Sequence, residues 1–309
     1  MRKIRWTWAY GILLFAFSLY TVLDTFVITR VYTVVEEESG EGASADEEQT
    51  DEAISTAIPA ATASEEPVVT ATSYSDDNIT ITITEYERND TIIHVADVQV
   101  TSAEYLQTAF AKSAYGKNVT DTTSSMAEEN EAILAVNGDY YGARNTGYVI
   151  RDGVLYRSTS AGDQEDLVIW SDGSFSIINE SEVTAEELVE QGAMEVLSFG
   201  PALIMDGQIS VDENDEVGKA MASNPRTAIG VIDDLHYVFI VSDGRTEESE
   251  GLSLYELAEF CQELGVTTCY NLDGGGSSTM VFNGPVINTP TTTGHGSKER
   301  SVSDIVYIG

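Results

Sequence analysis

Basic residues are scarce in this chain. Fifteen lysines and arginines stand against 52 aspartates and glutamates, for a formal net charge of -37. That excludes duplex nucleic acid as a partner, because such binding depends on Lys and Arg neutralising phosphates. It also disfavours a peripheral hold on anionic lipid. Cysteine is nearly absent, with only Cys261 and Cys269. A disulfide framework is thereby excluded as the main source of stability. Two buried thiols, or one bridge in an oxidising compartment, are left. The three histidines, His94, His236 and His295, are isolated, and no His-x-x-x-His or Cys-x-x-Cys spacing offers a zinc site. There is no Gly-x-Ser-x-Gly elbow for a serine hydrolase. No Lys follows a glycine loop, and no Gly-x-Gly-x-x-Gly stands in a βαβ context, so ATP and NAD are unsupported. No cofactor is implied; an aspartate-held Ca2+ or Mg2+ stays open without an EF-hand pattern. No period of 20–50 residues repeats, which argues against a solenoid or propeller.

What is present divides the chain in three. Arg2, Lys3 and Arg5 precede an apolar run over 6–28 broken only by Asp24. About 20 apolar residues span a bilayer, and no small-residue cleavage site follows. Residues 1–30 therefore read as a cytoplasmic tip and an uncleaved signal-anchor transmembrane helix. Basic residues before the span place the N-terminus inside and the rest outside the membrane. Residues 31–77 read as an acidic disordered linker: from Glu36 to Asp77 there are thirteen acidic residues and no Lys or Arg. Residues 78–309 form a folded domain large enough for a single core.

Strand signals dominate that domain. Ile79-Thr80-Ile81-Thr82-Ile83-Thr84 alternates strictly, Asn89-Asp90 is a turn signal, and a second β-rich run covers 91–100, which together predict a hairpin. Further strands are expected at 132–136, 153–156, 167–170, 175–178, 201–205, 227–232, 237–241, 268–272, 279–282 and 304–308. Helices are expected at 184–190 and 253–264, the second with Ser253 and Glu256 at capping-box spacing. Its apolar face includes Cys261, which reads as core. The fold class is α+β: a strand-rich mixed sheet domain with a few packed helices, preceded by one N-terminal transmembrane helix.

Four stretches carry chemistry. In Asn271-Leu272-Asp273-Gly274-Gly275-Gly276-Ser277-Ser278, consecutive glycines cost backbone entropy but permit close approach of N–H groups to an anion. Asn271 and Asp273 share one strand face while Leu272 points to the core. In Asn137-Gly138-Asp139-Tyr140-Tyr141, an apolar strand ends in polar residues, either a site or an Asn-Gly turn. Asn224-Pro225-Arg226-Thr227-Ala228-Ile229-Gly230 and Asp243-Gly244-Arg245 place arginines at strand boundaries, as does Arg300. Arginine pairs bidentately with phosphate. The alternative for each is a surface ion pair.

Together and in this order, with Gly200-Pro201-Ala202-Leu203 and Arg300-Ser301-Val302-Ser303-Asp304, these stretches resemble the phosphodiester glycosidase family over about 119–309. The resemblance implies a hydrolase that releases free sugar and a phosphomonoester from sugar-1-phosphodiesters, acting on wall or exopolysaccharide glycans at the cell surface. Its partners would be a phosphodiester-linked glycan and the membrane. The expected catalytic residues are Asp139, Asp273, Asn137, Asn271 and Asp243. The expected phosphate and substrate ligands are Arg226, Arg245, Gly274, Gly275, Gly276, Ser277 and Arg300, with no metal. The alternatives are a non-catalytic anionic-polysaccharide-binding protein and a glycan-modifying transferase.

Overall fold

The computed structural model describes residues 2–32, 66–215 and 223–309. The alternating stretch forms one arm of a long hairpin. Ile79–Arg88 pairs with Thr91–Val100 from Ile79 opposite Val100 to Arg88 opposite Thr91. Asn89 and Asp90 take φ of 50° and 52°, the left-handed pair that a two-residue hairpin turn requires. Ile79 and Ile81 are buried, while Thr80 and Thr82 face solvent.

This hairpin sits in a nine-stranded sheet with the order 208–209, 202–205, 268–271, 226–233, 236–242, 91–100, 79–88, 73–75, 68–69. A four-stranded sheet runs 280–282, 134–137, 304–308, 106–110, and a five-stranded sheet runs 154–157, 149–151, 193–197, 165–170, 175–179. Every described strand pair is antiparallel. The three sheets share one core, in which Ile81, Val98, Phe239 and Leu272 meet Leu134, Phe282 and Ile308 from one partner sheet and Leu167 and Leu197 from the other. The molecule is thus a sheet-rich α+β domain with few helices.

The helix Leu254–Glu263 starts at Ser253, whose side chain and that of Glu256 cap it reciprocally. It covers the other face of the large sheet, packing Leu257, Ala258 and Cys261 among Leu203, Ala228, Ile240 and Cys269. Each Leu-sized side chain buried this way contributes about 1.5–3 kcal/mol. Cys261 and Cys269 are free thiols whose sulfurs lie 3.3 Å apart. The helix Ala185–Glu190 is also where it is expected, with Thr184 as its cap. The helix Thr123–Glu129, capped by Thr122, was not expected and closes the four-stranded sheet with Met126 and Ala127.

The N-terminal reading is corrected. A helix does run Arg2–Phe26, but among the described residues no helix is long and apolar enough to cross a membrane. The linker expected over 31–77 falls partly outside the described residues, at 33–65. The chain re-enters structure earlier than expected, since Val68–Val69 and Ser73–Ser75 extend the large sheet. Arg30–Val31 pairs with Gly116–Lys117.

A buried polar cluster ties the smaller sheets together. Arg151, at 4% exposure, bonds Asp304 at 2.7 Å and Asp139 at 3.2 Å and lies 4.0 Å from Glu195. Burial and then the Asp139 charge push the Asp304 carboxyl up to about 7, with Arg151 pulling back. Burial likewise raises Glu195 to about 7. Asp166 is fully buried with neither carboxyl oxygen partnered. Burial, reinforced by Glu180, raises it to about 9. Such groups stay protonated in the fold at pH values where the unfolded chain has released its proton. Their contribution is full below the unfolded value of about 4 and is lost as pH rises through these folded values. Thermal melts between pH 5 and 9 should show Tm falling with pH. Asp166→Asn, which imitates the protonated acid, should flatten that fall and raise Tm at pH 8 by more than about 3 °C. A Tm indifferent to this substitution contradicts the assignment.

Candidate active site

Antiparallel pairing gathers the motif stretches at one end of the large sheet. Arg226 opens the strand Arg226–Asp233, Asn271 closes the strand Thr268–Asn271, and the register sets Ala228 opposite Asn271. The backbone then stitches the ends together. Leu272 N donates to Thr227 O at 2.8 Å, and Gly275 N donates to Pro225 O at 2.8 Å. Between them lies a cavity of about 130 Å3 lined by Phe199, Asn224, Arg226, Arg245, Asn271, Leu272, Asp273, Gly274, Gly275 and Arg300.

Three guanidinium groups converge there. Arg226 is anchored by Nε donating to Leu252 O at 2.8 Å. Arg245 donates to Asn224 Oδ1 and to Thr292 O. Arg300 donates to Ser277 Oγ at 3.3 Å. Burial, and then repulsion from Arg300 and Arg226, lowers the Arg245 pKa. Among the described residues, neither Arg245 nor Arg300 has a carboxylate within ion-pair distance. Arg245 and Arg300, two like charges held together without an ion-paired carboxylate among the described residues, make a site that favours an anion.

Opposite them are one carboxyl and one amide. Burial raises the Asp273 carboxyl, while the Ser277 hydroxyl and the Arg300 and Arg144 charges pull it back. Asn271 donates Nδ2 to Gly200 O at 2.8 Å, whereas its buried Oδ1 has no partner. That oxygen is an acceptor waiting for a donor, since an unmet buried polar group costs about 1–3 kcal/mol.

The glycines are required by contact as well as by conformation. Gly275 takes φ +61°, and a Cβ there would meet Arg245 Nη2 at 3.0 Å. A Cβ on Gly276 would come within 2.3 Å of Thr292 Oγ1 and 2.9 Å of Arg300 Nη2. Gly276→Ala should therefore displace Arg300 and the segment around Thr292. The expected outcome is weaker anion binding, read as a higher Kd for inorganic phosphate by calorimetry; an unchanged Kd refutes the crowding argument.

Other residues expected at the site do not line the cavity. Asn137 lies behind it, donating Nδ2 to Asp273 O at 2.6 Å and accepting from Thr227 Oγ1 at 2.9 Å. Asp139 is fully buried, accepting from Tyr141 N, Ser198 N and Arg151 Nη2. Its oxygens are engaged by these three donors, and it does not line the cavity. Asp243 accepts from Thr289 N at 2.8 Å and Asn288 Nδ2 at 3.2 Å, with His94 3.7 Å away. Burial alone would raise its carboxyl, but the His94 and backbone bonds outweigh that and hold it low. It fastens the segment at 288–289. Gly276 and Ser277 are buried and do not line the cavity, and Gly275 N is already engaged by Pro225 O, which narrows the amides free for an anion. Conversely, Phe199, Asn224 and Arg144 were not expected. Asn224 stands within the Asn-Pro-Arg stretch, a signal that could have found it. Phe199 precedes Gly200-Pro201, and Arg144 sits in a loop with no local pattern.

Converging guanidinium groups beside a carboxyl in a small cavity, on a sheet-rich α+β scaffold, form a site suited to an anionic group. Residues 130–309 match the family model described as phosphodiester glycosidase, and the chain belongs to that family. The matched residues include the whole cavity; the hairpin at 79–100 lies outside them. The chain is 31% identical over 201 residues to an uncharacterised SPbeta prophage-derived protein of Bacillus subtilis (strain 168), covering 63% of this chain and 30% of that protein. It is 31% identical over 172 residues to the mouse N-acetylglucosamine-1-phosphodiester alpha-N-acetylglucosaminidase, covering 51% of this chain and 33% of that enzyme. The chain thus spans about a third of the length of these relatives. The fold is shared with the zebrafish N-acetylglucosamine-1-phosphodiester alpha-N-acetylglucosaminidase catalytic domain, at a TM-score of 0.59 and 21% identity over 74% of this chain and 82% of that one. It is also shared with a hypothetical protein from Synechocystis, at a TM-score of 0.54 and 14% identity over 75% of this chain and 62% of that one.

Proposed function

We propose that the chain hydrolyses sugar-1-phosphodiesters resembling N-acetylglucosamine-1-phosphodiester, releasing free sugar and a phosphomonoester. The observation that carries this reading is the set of three convergent guanidinium groups facing the raised Asp273 carboxyl across one cavity. Arg226, Arg245 and Arg300 hold the phosphate and stabilise the charge it gains as the ester bond breaks. Asp273 accepts a proton from the attacking water, whose oxygen ends on the released sugar or on the phosphate. A base raised toward the working pH suits that task. Asn271 Oδ1 accepts from a sugar hydroxyl, and the Gly274 amide assists at the phosphate. Asn137, Asp139 and Asp243 position these groups.

Arg245→Ala tests the phosphate role. Loss of a charged hydrogen-bonding partner costs about 1.5–3 kcal/mol, so kcat/KM for an aryl ester of N-acetylglucosamine 1-phosphate should fall roughly 10- to 100-fold, mostly through KM. An unchanged KM would remove Arg245 from the site.

The setting of this reaction is part of the proposal. We place the domain outside the cytoplasm, at the cell surface, acting on wall or exopolysaccharide glycans. Support comes from the apolar helix near the N-terminus, where Ile12, Leu13, Phe15 and Phe17 are all exposed, and such exposed apolar surface calls for a cover. Fractionation of cells that make the full chain, followed by protease treatment of intact cells, tests it; a protease-resistant protein in the soluble fraction contradicts it.

A further inference from the structure

Cavities on the described residues differ in the sign of their charge. One is lined by Asp172, Asp233 and Asp234, another by Glu104, Asp152, Asp172 and Glu195, and neither has a lysine or arginine. The 130 Å3 site has three arginines. A neighbouring cavity of about 280 Å3 is lined by Lys117, Arg144 and Arg157 together with Tyr32, Tyr115 and Tyr156. From Asp76 onward the sequence has forty acidic residues and eleven lysines and arginines, and six of the eleven line these two cavities.

The cations of the larger cavity are uncompensated. Among the described residues, Lys117, Arg144 and Arg157 have no carboxylate within ion-pair distance. Arg157 is fixed by the carbonyls of Gly147, Tyr141 and Arg144, and its buried Nη2 has no partner. In so acidic a chain, free cations would ordinarily find carboxylates; three left together favour an anion from outside. The rings add a second chemistry. Tyr115 and Tyr156 lie 5.1 Å apart at 48°, and Tyr32 lies 5.8 Å from Tyr115. All three are at least partly exposed. Partly exposed tyrosines offer apolar faces with polar tips, which suits a sugar ring.

The two cavities also adjoin. Arg144 lines the larger one, and its guanidinium lies 5.1 Å over the ring of Phe199, which lines the smaller. The Arg144 charge reaches Asp273 as well, helping to pull its carboxyl down.

We propose that the larger cavity is a subsite for the next phosphorylated sugar of a polymeric substrate. The protein then acts on chains of sugars joined by phosphodiesters, with one phosphate on Arg226, Arg245 and Arg300 and its neighbour on Lys117 and Arg144. The intervening ring lies against Tyr115 and Tyr156. This rests on reading the arginine cavity as the hydrolytic site.

The test uses the full chain carrying Asp273→Asn, so that binding is measured without turnover. The probes are a synthetic trimer of N-acetylglucosamine joined by phosphodiesters and the methyl 1-phosphodiester of N-acetylglucosamine, titrated by calorimetry at low salt. The trimer should bind at least about tenfold tighter, as one added charged contact allows. Lys117→Gln, or as a second variant Tyr156→Leu, should bring the two affinities within about threefold. Equal affinities before those changes, a preference that survives both variants, or no binding of either probe overturns the subsite. The chain with Asp273 intact, offered the same compounds, separates the two readings. A trimer bound through Lys117 but never hydrolysed sinks the hydrolytic reading and leaves the subsite standing.

Discussion

Asparagine at Asp273 is expected to lower kcat by about 10²- to 10⁴-fold, the range of a lost general base, with no loss of stability. The side chain is nearly isosteric, and Asn137 holds the backbone of residue 273 through its carbonyl rather than its carboxyl. Burial works against the charged form of Asp273, so a neutral amide relieves a desolvation cost that folding now carries. Tm should stay level or rise while turnover disappears. The wild-type pH–rate profile should lose activity on its acid side above the ordinary carboxylate range, because the raised Asp273 group must be ionised to take a proton. Full activity in the folded Asp273→Asn protein would remove this residue from the mechanism.

The second large effect lies away from the cavity. Arg151→Met should destabilise the domain by about 3–5 kcal/mol, as expected when one partner of a buried ionic cluster is removed. It leaves Asp139, Asp304 and Glu195 facing one another without their guanidinium. Asp139 bonds Ser198 N at 2.8 Å, and Phe199, the next residue, lines the cavity, so activity should fall with the fold. Adding Asp139→Asn and Asp304→Asn should recover much of the stability, because the unpaired charges go with the cation. Denaturant melts of the single and triple variants measure this. A single variant as stable as wild type would show that the cluster does not hold the two smaller sheets.

What could be read from the sequence was local. The alternation at 79–84, the Asn89-Asp90 turn and the Ser253–Glu256 capping box each depend on a few neighbouring residues, and all three form as read. Asn271, Leu272 and Asp273 all border the cavity, and Leu272 is also packed in the shared core. What failed was long-range. Asn137, Asp139 and Asp243 are polar residues at strand ends, which is all a sequence displays. Asn137 is held by Thr227 and the Asp273 carbonyl, Asp139 by Ser198 and Asp304, and Asp243 by Asn288 and Thr289, partners that lie 45 or more residues away along the chain. Arg144 and Phe199 were missed because a loop residue reaches a site through the path of its loop, and no periodicity marks that path. The N-terminal run does form a helix, Arg2–Phe26, but among the described residues no helix is long and apolar enough to cross a membrane.

The most direct measurement is hydrolysis of an aryl ester of N-acetylglucosamine 1-phosphate by the full chain beside its Asp273→Asn variant, with free sugar and phosphomonoester both followed by mass spectrometry. The account predicts stoichiometric release of the two products by wild type and near-complete loss in the folded variant. Release that persists in the variant, or no release by folded wild type from any of a panel of sugar-1-phosphodiesters, would contradict it.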